Sequence, residues 1–175
     1  MSFGSLWRDA NHNAIQVGGV VSRTRQTLSG NNTTVATPLF RITGSVQGVG
    51  LYATIITDLG SNQTAAYYRL NDQAAQVNIT LNTGVTISST PAGSLFIKKD
   101  LNNATFTIKS SAAGGVSEPS VKETMLFSPF CMTQKAGANT DVEFVYTTTN
   151  TPTSGVIEHF LVWLPLSADA AVRPL

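Results

Sequence analysis

The sequence predicts an all-β chain: a β-sandwich of jelly-roll type, preceded by an extended N-terminal arm. Three observations carry that expectation. From Thr37 onward, short runs rich in Val, Ile, Thr, Tyr and Phe recur about every ten to fifteen residues, with Gly, Asn, Pro and Asp between them. No segment repeats apolar residues at helical spacing over a helix-sized window. Several runs alternate apolar with Thr or Asn, as strands with one wet face do.

The elements follow in chain order. Residues 1–36 read as the arm, with scattered apolar residues (Phe3, Leu6, Trp7, Ile15, Val17) and one short candidate strand, Ala14–Val21. Residues 37–175 read as the sandwich domain. Candidate strands are Pro38–Val46, Val49–Leu59, Ala65–Leu70, Val77–Leu81, Val85–Ile87, Leu95–Lys99, Thr105–Lys109, Lys122–Met132, Val142–Thr148 and Val156–Leu164. Asp100–Asn103 has the size of a hairpin loop between two of them. The run from Gly44 to Gly50 holds three glycines and opens no helix, so it reads as a bend or bulge rather than a phosphate loop.

Composition narrows the function. The chain has 175 residues, enough for one domain with an arm. Charged residues are only 12%, whereas Thr, Ser and Asn number 23, 16 and 12, so polarity comes from hydroxyls and amides. A net charge of +1 argues against a nucleic-acid or membrane-surface partner. No apolar run approaches a membrane-spanning length, and the N-terminus lacks the apolar stretch of a secretory signal. Cys131 has no cysteine to pair with and lies in the apolar stretch Phe127–Met132, so a buried, inert thiol is expected.

Catalytic chemistry finds little to work with. The histidines are His12 and His159. His159 shares a strand face with Ile157, Leu161 and Trp163, which marks it as a hydrogen-bonded core residue rather than a base. One Cys and two His do not make a compact zinc site, and the loops Asp58–Asn62 and Asn71-Asp72 lack the spaced oxygen ligands of a calcium loop. No cofactor and no metal are expected. Arg23 and Arg25 suit an acidic neighbour, and Lys98-Lys99 suits a solvated strand edge. Tyr67 and Tyr68 point to opposite faces, one to the core and one outward, where a tyrosine serves an interface or part of a sugar-stacking platform.

Leu6-Trp7-Arg8-Asp9-Ala10-Asn11, followed by the strand-like Ile15–Ser22, resembles the N-terminal segment of small virion proteins of tailed bacteriophages. Thr64–Asp72 and Phe160–Asp169 share the character of such proteins. The resemblance implies a structural role on the particle, as a head decoration (cement) protein or a head/tail accessory protein. It brings no catalytic or ligand residues. The expectation is therefore a non-enzymatic virion protein, a homotrimer that binds the major capsid protein or other virion proteins through its arm and one end of the sandwich. Phe3, Leu6, Trp7 and Arg8 are the expected contact residues. Deleting residues 1–22 is expected to abolish particle binding and leave the β domain folded. The alternative is a carbohydrate- or receptor-binding module of a head or tail fibre. A hydrolase on a β scaffold would instead need a cleft bringing His159 beside a serine.

Overall fold

The computed structural model describes residues 19–83, 86–98, 106–109, 130–151 and 155–175. Among them the strands are β1 (Val20–Thr27), β2 (Thr34–Thr43), β3 (Ser45–Thr57), β4 (Gln63–Asn71), β5 (Gln76–Asn78), β6 (Leu95–Lys98), β7 (Phe106–Lys109), β8 (Phe130–Thr133), β9 (Thr140–Thr148), β10 (Val156–Pro165) and β11 (Ala171–Pro174). They form two antiparallel sheets. The first runs β1-β10-β3-β6-β7, with β8 also paired to β3; the second runs β11-β2-β9-β4-β5.

The sheets face each other through alternate residues, as the pleat requires. β10 turns Ile157, His159, Leu161 and Trp163 inward, and β9 turns Phe144 and Tyr146 toward them. Phe144 sits at the centre of an aromatic cluster, 4.9 Å from His159, 5.2 Å from Tyr68, 5.7 Å from Tyr146 and 6.5 Å from Phe96, ring to ring. Phe40, Ile42, Leu51, Ile55 and Leu161 fill the space around it.

Local chemistry explains the irregular points. Gly44 turns the corner between β2 and β3 with φ +62°, and a Cβ there would meet Ser167 Oγ at 2.5 Å. In β3, Val162 pairs Gly50 and Trp163 pairs Gly48, so Val49 is the extra residue of a bulge. Gly48 also leaves room for the Phe130 ring, which a Cβ would meet at 2.5 Å. Pro38 falls where β2 shifts register against β9, and it lies beyond the stretch of β2 that pairs with β11 (Phe40–Thr43). Its missing N–H therefore costs no ladder bond on the β11 side.

Several expected boundaries move. Of the strand expected at Ala14–Val21 only Val20 and Val21 fall in a described strand, β1 (Val20–Thr27), so from Val20 onward the stretch assigned to the arm belongs to the sheets; residues 1–18 lie outside the described residues. A deletion through residue 22 would remove part of β1, including Ser22, which bonds across the sandwich. Val77–Leu81 shrinks to β5: beyond Asn78 the Ile79 and Thr80 amides both donate to the Tyr68 carbonyl (2.9 and 3.1 Å) while Tyr68 N–H donates to Thr80 Oγ1 (2.9 Å), so the regular backbone ladder ends there. β6 and β7 pair antiparallel, with Leu95 opposite Lys109, and the loop expected at Asp100–Asn103 lies outside the described residues.

Candidate functional site

β1 is an edge strand whose inward residues are polar: Ser22, Thr24 and Gln26. Each closes the gap between the sheets with a hydrogen bond. Trp163 Nε1–H donates to Ser22 Oγ (3.1 Å), and Ser22 Oγ–H donates to the Val172 carbonyl (3.1 Å). Thr24 Oγ1–H donates to the Leu175 carbonyl (2.9 Å). Hydroxyls of β1 thus bond to carbonyls of β11 and of the residue after it, at the edge of the opposite sheet.

His159 stands at the middle of this seam with no exposed surface. Its Nδ1 accepts from the Tyr68 hydroxyl (2.8 Å) and its Nε2–H donates to Gln26 Oε1 (3.1 Å). The Gln26 amide in turn donates to Thr37 Oγ1 (2.7 Å). That chain joins β4, β10, β1 and β2, so it bolts the two sheets together. Burial pushes the His159 pKa down to about 3 and raises that of Tyr68 well above its usual value. Each ring nitrogen of the neutral imidazole already has a protein partner, so neither is free to act as a base toward a substrate.

The outer face of the first sheet is of another kind. β10 is apolar on both faces: outward it carries Val156, Phe160, Val162 and Leu164, broken only by Glu158. Phe160 stacks on Tyr52 of β3, with ring centroids 4.8 Å apart and planes at 9°. Val21 of β1 stands beside Val162 and is 55% exposed. Arg23 flanks Phe160, and Arg25 pairs with Glu158 at 2.8 Å. A strand that is apolar on both sides calls for cover on both sides, and an aromatic patch beside arginines with a polar rim has the make-up of a contact surface.

The outer face of the second sheet is laced with ion pairs. Arg41 holds Asp141 through two bonds of 2.9 and 3.1 Å, which raises the Arg41 pKa. Arg69 holds Glu143 at 2.6 Å, and Asn71 donates to the other Glu143 oxygen at 2.9 Å. These charges serve one another within the sheet.

The loops weighed as cation sites are braces. Asp58 Oδ1 accepts from the Ala92 amide, and Asp72 Oδ1 accepts from the Ala75 and Ala74 amides, which lower its pKa. Among the described residues, no group of three or more His, Cys, Asp or Glu is placed to hold a metal.

Phe3, Leu6, Trp7, Arg8 and His12 lie outside the described residues. Cys131 is exposed rather than buried, because β8 alternates and Met132 takes the inward position beside it. Tyr68 is a core residue and Tyr67 is half-buried on the outer side of β4. The Tyr52–Phe160 pair escaped the sequence reading, since those residues lie more than a hundred positions apart and only pairing of β3 with β10 joins them. A scan against protein-family models, a search of curated proteins and a search of solved structures each return no match.

Proposed function

We propose that this chain is a non-enzymatic structural protein of a tailed-bacteriophage particle, a homotrimeric capsid decoration protein located in the virion. It binds the major capsid protein or other virion proteins through its N-terminal arm and one end of the sandwich, with Phe3, Leu6, Trp7 and Arg8 in the contact and the outer face of the first sheet adding to it. The observation that carries the reading is the outer face of the first sheet, an apolar and aromatic surface outside the core. Work done by such a surface is stabilisation through buried area, and a stable contact needs about 1,200–2,000 Å².

The strand pairing supports a jelly roll. β1 pairs β10, β2 pairs β9, β3 pairs β6 and β4 pairs β5, a nested set that folds eight strands into two facing four-strand layers. Capsid proteins use that architecture, and so do lectins and cupins, so the fold lends the reading support by analogy alone.

The test is co-sedimentation of the full chain with shells assembled from the major capsid protein. Wild type is expected to pellet with shells, and the variant carrying Phe3→Ala, Leu6→Ala, Trp7→Ala and Arg8→Ala to stay in the supernatant with unchanged circular dichroism. Wild type that stays in the supernatant, or a variant that pellets as well as wild type, overturns the reading.

A further inference from the structure

The second sheet ends at β5, and this edge differs from the others. Four strands end the two sheet orders: β1, β7, β11 and β5. β1 carries Arg23 and Arg25, β7 ends in Lys109, and β11 ends in Arg173-Pro174. Charged side chains and proline on an edge discourage a further strand from pairing there. β5 is Gln76-Val77-Asn78, with neither charge nor proline, and all three residues are exposed. Val77 is 62% exposed and Leu81, just beyond the strand, 51%.

The edge is held in shape from behind. Asp72 N–H donates to the Ala75 carbonyl (3.1 Å), and Asp72 Oδ1 accepts from the Ala74 and Ala75 amides, which closes the β4–β5 turn. Arg69 Nη1–H donates to Gln76 Oε1 at 2.6 Å. Strand parity then fixes where the free backbone groups lie. Leu70 stands opposite Val77, and Ile79 N–H, two residues on, donates to the Tyr68 carbonyl. Val77 and Ile79 therefore turn their backbone groups to β4, and the N–H and C=O of Gln76 and Asn78 point outward along the edge.

We propose that β5 of one copy pairs antiparallel with β5 of a second copy across a two-fold axis at Val77, joining their second sheets edge to edge. In that register Gln76 lies opposite Asn78 of the second copy, and the two exchange both N–H···O=C bonds. Val77 meets its own counterpart at the pair between them, where cross-strand side chains stand closest. No charge meets a like charge, whereas self-pairing of β1 would bring arginines together. The positions next in register, Ala75 and Ala74, are small and leave the approach open. Two-fold contacts of this kind are the commonest between identical chains. A three-residue strand makes a contact smaller than the roughly 1,200 Å² that a stable interface needs. It therefore serves copies already held side by side rather than a lasting dimer in dilute solution. The inference goes beyond the proposed function. A two-fold contact cannot close a trimer, so it links copies of neighbouring trimers and leaves the outer face of the first sheet free.

The test is disulfide trapping on the isolated full chain carrying Cys131→Ser, so that the introduced thiol is the only one. At a pair of this kind the Cα atoms lie about 4.5 Å apart, within disulfide reach. Val77→Cys is expected to form covalent dimers at least about ten-fold faster than Asn31→Cys, an exposed turn position that reports random collision. Adding Asn78→Pro removes an outward N–H and no bond to β4, and is expected to bring the rate down to the Asn31→Cys level with the melting temperature unchanged. Asn78→Lys gives β5 the guard that the other edges carry and is expected to slow trapping as well; should the proline variant melt lower, the lysine variant decides. Val77→Cys that crosslinks no faster than Asn31→Cys overturns the inference, as does a fast rate that survives either substitution in a folded chain. No shell takes part, so this contact and the shell-binding role fail separately.

Discussion

Acid should weaken this protein through His159 by an amount the structure sets. The unfolded imidazole titrates near its ordinary 6.5, and the folded one near 3. The folded state therefore binds fewer protons between those values, and stability falls as pH drops from 6.5 toward 3. Above pH 6.5 the contribution is fully present; below 3 the loss is complete. At about 1.4 kcal/mol per pH unit, the loss is about 3 kcal/mol at pH 4.5 and approaches 5 kcal/mol at the lower limit. Against a typical domain stability of about 5–15 kcal/mol, that is a large share. The assay is urea unfolding followed by tryptophan fluorescence at several pH values, for wild type and for His159→Gln. The difference between the two profiles removes the carboxylates, which both proteins share. Wild type is expected to lose about 3 kcal/mol more than the variant between pH 7 and pH 4.5. A difference profile flat across that window refutes the placement of His159 between Tyr68 and Gln26, as does an imidazole NMR signal for His159 that titrates near 6.5.

Other substitutions probe the seam and the faces. Ser22→Ala strands both the Trp163 Nε1–H and the Val172 carbonyl and is expected to cost about 1–3 kcal/mol in urea unfolding. Gly48→Ala drives a methyl into the Phe130 ring and is expected to cost about 1–3 kcal/mol and to loosen β8, seen as faster labelling of the neighbouring Cys131 by a thiol reagent. Arg69→Ala leaves Glu143 nearly buried with only Asn71 as partner, and a loss of about 2–4 kcal/mol is expected, mitigated by Glu143→Gln in the double variant.

Parts of this architecture were legible because they depend on near neighbours. The inward set Ile157, His159, Leu161 and Trp163 follows from strand parity alone, and a histidine there has to be satisfied by neighbours once buried. The glycines from Gly44 to Gly50 announced an irregular strand, and two of them frame the bulge. Other parts depend on what lies across the sandwich. Nothing in Ser22-Arg23-Thr24-Arg25-Gln26 says that its polar members face inward, because their partners Trp163, Val172, Leu175 and His159 are far along the chain. Cys131 misled for a related reason: an apolar neighbourhood in sequence does not decide which side of a strand a residue takes. The apolar outer face was hidden for the same cause, since Tyr52, Phe160, Val162 and Val21 belong to three strands.

The proposed role of this chain, fitting surfaces together on a shell, is tested most directly by the melting temperature of major-capsid-protein shells titrated with the full chain. A ligand that binds only the intact shell raises that temperature in a concentration-dependent way. The claim requires a rise that saturates with added wild type and is absent with the variant altered at Phe3, Leu6, Trp7 and Arg8. Shells that melt at one temperature whatever the amount of protein added would contradict it.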